Sequence, residues 1–226
     1  MEYTKDKMLK PMLTTLVALI LYNPCTQVLC GELPLCIKLK ETSTIELSVK
    51  NLQDSAVLTR LVYAEGISTG YPDDPLVFEA IAWGVMNRVR LAEASQTKRR
   101  LYGSGIRGVI FKKGQFNPAV SRQSRFSKEF LCPTLTPSWD LAVKAAEKAL
   151  KGEGNPFLET PWEKAHNLSL VTGFYYPHSI QARSRLAPWE NSRGMRFIGD
   201  VTIGGKALSS ERVRFYRLTA HPRDLP

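Results

Sequence analysis

The segment Asp74–Ala94, "DPLVFEAIAWGVMNRVRLAEA", decides the fold. Asp74 is a good helix cap, and proline at the first helical position has the backbone angle a helix start needs. The residues that follow are apolar on most sides. A helix with so little polar surface belongs inside the molecule, so this segment predicts a central, buried helix. Preceding it, "STGYPDDP" is turn chemistry. Before that turn, Val57, Leu58, Leu61 and Val62 recur at helical spacing. They predict a first helix from Ser55 to Glu65, capped by Asp54 and ended by Gly66.

Downstream, residues 95–108 are basic and glycine-bearing and read as a loop. "IRGVIF" reads as a short helix or strand, and "KKGQFNPAVS" as a turn-rich loop. "SWDLAVKAAEKALK", residues 138–151, predicts an alanine-rich helix capped by Ser138 and stopped by Gly152. The stretch 152–163 reads as an outward loop. "SLVTGFYYPHSI", then "LAPWENSRGMRFIGDVTIGG" and "ERVRFYRL", have strand-like composition and predict a short terminal strand pair. The expected architecture is mainly α with minor β, in one domain. Ahead of it, residues 31–53 form a lead-in in which "STIELSVKNL" suggests a strand or an extended arm.

The first residues carry Lys5, Lys7 and Lys10, an apolar run from Met12 to Tyr22, and the breaker Asn23-Pro24. That is the pattern of a secretory signal over residues 1–30, with Gly31 as the first mature residue. The apolar run is shorter than the roughly 20 residues that span a bilayer. The expectation is an exported protein, periplasmic or extracellular, with no integral membrane segment after cleavage. The net charge of +10 favours an anionic partner. Export makes nucleic acid a poor candidate and an acidic wall polymer a good one. Cys36 and Cys132 survive cleavage, and an exported protein with an even count permits a disulfide.

Glu65 lies four residues after Leu61 and three after Val62, on the same helical face. A carboxyl group against an apolar wall is poorly solvated, and its pKa rises. A general acid working near neutral pH needs that rise. The plain alternative is an acid at a fraying helix end. Glu79, among apolar residues in "LVFEAIAWG", is expected to pair with Arg88 or Arg90, or to support Glu65. The three histidines share no helical face, so no zinc-protease motif exists and no metal or other cofactor is expected. Cys132 precedes a proline and lacks an activating neighbour, and no G-x-S-x-G elbow is present. What remains is acid chemistry flanked by aromatics and amides, which suits glycan cleavage. Phe116, Tyr175, Tyr176 and Trp189 are candidates to stack on sugar rings. Gln115 and Asn117 are candidates to bind hydroxyl or acetamido groups.

The segments "LTRLVYAEG", "AIAWGVMNRVR", "GVIFKKGQFNP", "SWDLAVKAAEKALKG", "APWE" and "FIGD" follow one another along the chain. Together they resemble the cell wall hydrolase family of the spore cortex-lytic enzyme catalytic domain, over about residues 54–200. The resemblance implies a lysozyme-like, transglycosylase-type fold acting on peptidoglycan glycan strands, with the catalytic domain spanning 54–226. It implies that Glu65 is the catalytic acid and that Gln115 and Phe116 line the cleft. It also implies that Asn87 and Arg88 form a structural pair at the end of the central helix, and that Trp189 matches a tryptophan near the end of the domain. The chain departs from the family after Glu65. The family's Gly-Glu step is replaced by "GISTGYPDDP", with Asp73 and Asp74 the nearest acids. A glutamine early in the central helix is replaced near Phe78 and Glu79, and the histidine-bearing segment appears as "TGFYYPHS".

One carboxylate acting as acid and then as base suits a lytic transglycosylase, whereas hydrolysis by a muramidase wants a second carboxylate. The expected reaction is therefore cleavage of the β-1,4 bond between N-acetylmuramic acid and N-acetylglucosamine. Three rival readings are a non-catalytic wall-binding protein, an amidase, and an antibacterial toxin matched by a protein inhibitor.

Overall fold

The central helix starts where its cap and proline place it: the Asp74 carboxylate accepts the Leu76 N–H at 3.0 Å. The computed structural model describes residues 31–219. In it, α1 (Ile45–Ser48) precedes α2 (Asp54–Ser68) and the central α3 (Pro75–Ala94). Four short helices follow: α4 (Gln96–Tyr102), α5 (Gly105–Ile110), α6 (Asn117–Val120) and α7 (Ser127–Leu131). The long α8 (Thr136–Lys151) and the short α9 (Pro161–His166) complete the helices. The strands are β1 (Val171–Tyr175), β2 (Met195–Phe197), β3 (Val201–Ile203), β4 (Lys206–Leu208) and β5 (Arg214–Leu218). The protein is a mainly helical α+β domain with little sheet, as its sequence predicts.

Helix α3 is buried nearly all round, with Val77, Phe78, Ile81, Trp83 and Val85 fully enclosed. It packs against α2, α8 and β1. The sheet runs β1-β5-β2, all antiparallel, and β3-β4 form a separate hairpin. Two side chains of α3 tie it to the sheet. Asn87 Nδ2 donates to the Val171 carbonyl at 2.9 Å, and Arg88 Nε donates to the Thr172 carbonyl at 2.6 Å. The β1–β5 register shifts between Val171 and Gly173. Thr172, at that shift, thus faces α3 instead of continuing a regular ladder, a common use of a strand irregularity beside a cavity.

Several local expectations need correcting. Helix α2 runs through Gly66 to Ser68, and Gly66 leaves the space that the Phe78 ring of α3 occupies. The left-handed glycine that turns the chain is Gly70 (φ 87°). Asp54 is the first residue of α2, not its cap, and its carboxylate accepts from Arg107 Nε at 2.7 Å. In the lead-in, "STIELSVKNL" contains α1 and no strand. Thr44 caps it, and Ile45 and Val49 bury one face at an i, i+4 spacing. Residues 95–108, expected as loop, hold α4 and most of α5. The Ser95 hydroxyl accepts from Lys98 N–H at the start of α4. The "NPAV" of the next expected loop is α6.

Helix α8 begins at Thr136. Ser138 lies inside it and donates to the Pro72 carbonyl at 2.6 Å, while Gly152 (φ 83°) ends it as expected. The 152–163 stretch turns inward, with Asn155 and Phe157 buried, and Thr160 and Glu163 form a capping box on α9. Among the described residues no helix is long and apolar enough to cross a membrane. The signal-peptide reading concerns residues 1–30, which lie outside the described residues.

Candidate active site

Helix α2 presents Leu61, Val62 and Glu65 on one face, and all three are buried; Glu65 is 6% exposed. The carboxyl group opens on a cavity of about 460 Å³. Its walls come from the end of α2, the middle of α3, residues 114–118, β1 and the 176–189 stretch. Among the described residues lining it, Glu65 is the only carboxylate. Burial raises its pKa from 4.5 to about 7, against the smaller opposing pulls of Tyr176 and Arg88. At neutral pH about half of the molecules therefore carry the proton, the state in which a carboxyl can act as an acid.

Arg88 is the nearest cation and is itself buried. Beyond its bond to Thr172, its Nη1 donates to Gln115 Oε1 at 2.7 Å. Its guanidinium lies 4.7 Å over the Phe116 ring and 4.9 Å over the Phe174 ring. One arginine thus holds the strand, orients an amide at the cavity wall and places positive charge near Glu65. Tyr176 faces Glu65. Burial, first, and then the neighbouring Glu65 push its phenol well above the ordinary range. Its buried hydroxyl closes no hydrogen bond of good geometry. That leaves a buried phenol hydroxyl beside the Glu65 carboxyl, with Glu65 as the polar group that acts on it.

The expected binding residues sort by exposure. Gln115, half-buried, lines the cavity with its oxygen held by Arg88. Asn117 lies exposed at the rim as the first residue of α6. Phe116 is 1% exposed and tilted against Phe174 at 5.9 Å, so it is floor and not a stacking platform. Tyr175 and Trp189 are half-buried at the mouth, edge to face at 6.2 Å. Tyr175 donates its hydroxyl proton to the Ser184 carbonyl at 2.6 Å, and Trp189 leans on Tyr216 at 5.9 Å. Glu190, the next residue, holds this stretch to β5: it accepts from Arg214 at 2.7 Å and from the Tyr216 hydroxyl.

Other expectations separate from the site. Glu79 pairs with Lys148 of α8, not with Arg88 or Arg90, and does not line the Glu65 cavity. Asn87 and Arg88 sit within α3, not at its end. Asn87 is structural, accepting from Asn155 Nδ2 at 2.8 Å as well as holding β1. Neither acid after Glu65 replaces a second carboxylate. Asp73 is exposed, and Asp74 caps α3 and binds Arg212; neither lines the cavity. His178 packs edge-on to Tyr71 at 6.4 Å, outside the Glu65 cavity. Cys36 and Cys132 are joined in a disulfide with Cα atoms 4.2 Å apart. Among the described residues no group of three His, Cys, Asp or Glu side chains is placed to hold a metal ion.

Sequence reasoning missed Tyr102, Thr172 and Ser68 as parts of the site. The Tyr102 and Thr172 hydroxyls are hydrogen-bonded at 3.0 Å and both line the cavity. Ser68 Oγ donates to the Glu65 carbonyl at 2.7 Å and lines the cavity one helical turn on from Glu65. Tyr102 had one legible signal, the Ser95 cap that starts its helix. Comparison of the chain with family models, with curated proteins and with solved structures found no match.

Proposed function

We propose that this protein cleaves the glycan strands of peptidoglycan as a lytic transglycosylase, with Glu65 as its acid and then its base. The observation that carries the reading is a lone buried carboxyl group, its pKa raised to about 7, in a cavity lined by Arg88, amides, hydroxyls, aromatics and aliphatic side chains. In the first half of the reaction Glu65 gives its proton to the glycosidic oxygen between N-acetylmuramic acid and N-acetylglucosamine. The C–O bond breaks, and positive charge develops on the muramyl ring. The resulting carboxylate then takes the proton of the muramyl 6-hydroxyl. That oxygen bonds to the anomeric carbon, leaving a 1,6-anhydro end. Proton and bonds balance with no water consumed.

A muramidase on the usual two-carboxylate plan needs its second acid about 5–9.5 Å from the first. The lining of the cavity offers none among the described residues, which supports the transglycosylase route. Gln115 is suited to receive the sugar's polar groups, and Tyr175 with Trp189 to flank its rings. The basic balance of the chain, +10, suits an anionic wall polymer.

Digestion of purified sacculi, read by mass spectrometry, tests this. Anhydro-muramyl ends are expected. Reducing ends would indicate hydrolysis, freed stem peptides an amidase, and sacculus binding without soluble products a wall-binding role. Glu65→Gln is expected to lower turnover by at least about a thousandfold while the fold persists. Wild-type turnover in that variant would remove Glu65 from the mechanism.

A further inference from the structure

A second cavity, of about 830 Å³, lies against the first. The two share Ser68, at the end of α2, and Phe126. Glu65 lines only the first, and the second has a different chemical character. Arg122, Arg125 and Lys128 stand on its wall against one carboxylate, Glu129. That carboxylate accepts from the neutral Tyr63 hydroxyl at 3.2 Å and keeps its charge, so three cations face one anion. Arg122 is oriented by the backbone carbonyls of Lys40 and Glu41. Carbonyl acceptors fix a guanidinium without cancelling its charge. Among the described residues, neither Arg125 nor Lys128 forms an ion pair. The result is a recess with excess positive charge, next to the cavity that holds the Glu65 carboxyl group.

We propose that this second cavity is a subsite for the carboxylate-bearing peptide stem of the strand cut at Glu65. The inference rests on the glycan-cleavage reading. A muramyl residue carries its peptide on the lactyl group, so a sugar seated at Glu65 projects a short anionic chain from its side. The shared boundary at Ser68 and Phe126 gives that chain a neighbouring place to lie. A cavity of this volume is in the range that encloses a small organic ligand. Charge in a partly enclosed recess acts more strongly than on an open face. The subsite makes stem-bearing glycan the preferred substrate over glycan stripped of its peptides.

The test is the double variant Arg125→Glu/Lys128→Glu in the full chain, which reverses two exposed charges and leaves Arg122 and the Glu65 cavity intact. Turnover of stem-bearing sacculi is expected to fall by about tenfold or more, with less than about a twofold change on amidase-stripped glycan. Equal losses on both substrates, or none on either, overturn the proposal. Wild-type protein that cuts neither substrate would refute the cleavage reading instead. Calorimetry with a soluble disaccharide-tetrapeptide then decides the subsite alone. Affinity is expected to drop about tenfold in the double variant, and equally when the ligand's carboxylates are amidated. Unchanged affinity, or a loss of binding only to anionic vesicles, overturns the subsite.

Discussion

Glu65 carries a consequence that needs no substrate. Its folded-state pKa of about 7 lies above the ordinary 4.5 because burial penalises the carboxylate. Between those two values the unfolded chain has released a proton that the native protein keeps. Stability from this group is therefore complete below pH 4.5 and is lost as pH rises through 7. The shift corresponds to about 3 kcal/mol. Glu65→Gln removes the titration. The variant is expected to match wild type near pH 4.5 and to exceed it by up to about 3 kcal/mol at pH 8, in urea unfolding followed across pH. Parallel stability curves for the two proteins would show that the carboxyl is solvated. A protein that is more stable without its acid holds that acid at a cost, and such a cost is common at catalytic positions.

At the scale of elements, the contact between α2 and α3 sets where Glu65 points. Gly66 and Phe78 form its tightest approach: a Cβ at 66 would stand 2.5 Å from a ring carbon of Phe78. Phe78 is fully buried and cannot swing away freely. Gly66→Ala adds about 1 kcal/mol of helix propensity but forces overpacking of about 1–3 kcal/mol. A net destabilisation of about 1–2 kcal/mol is expected, seen as a lower urea midpoint with an unchanged slope. An increase in stability would mean that α2 and α3 are less closely packed than described. The same glycine explains a misreading. Glycine near a predicted helix end suggests a stop, yet Gly66 serves close approach between helices. The cap at Asp74, the proline at 75 and the glycine stop at 152 were legible because each acts within its own segment. The role of Gly66 is set by the Phe78 ring of the next helix, whereas the caps at Ser95 and Thr160 act within their own segments and were legible signals that the loop expectation passed over.

At the scale of the whole molecule, the lead-in is fastened to the helical body. The Cys36–Cys132 bond joins residues separated by 96 positions. Beside it, Ile37 N–H donates to the Leu131 carbonyl at 2.9 Å, and Arg60 Nη2 donates to the Leu35 carbonyl at 2.8 Å. These contacts hold the native arrangement independently of the sulfurs, so the cross-link acts mostly by restricting the unfolded chain. A loop of this size corresponds to roughly 4–5 kcal/mol in the chain-entropy estimate. Cys36→Ser/Cys132→Ser is expected to fold and to lose about that much stability, measured by denaturant unfolding against the oxidised protein. A loss below about 1 kcal/mol would indicate that the segment stays docked in the unfolded ensemble.

The amino-acid sequence by itself determined the central helix, the long α8, the β-rich end of the chain and the apolar face on which Glu65 lies. Periodicity, caps and breakers express local geometry, and local geometry follows from neighbouring residues. It also set Glu65 apart from Glu79, the one as candidate acid and the other as a pairing or supporting residue. Only the tertiary structure supplied their surroundings, setting Lys148 beside Glu79 and Tyr176, Arg88 and a cavity around Glu65. A helical period tells which way a side chain faces along its own helix. What it faces is supplied by segments dozens of residues away, and solvation, charge and pKa all depend on that supply.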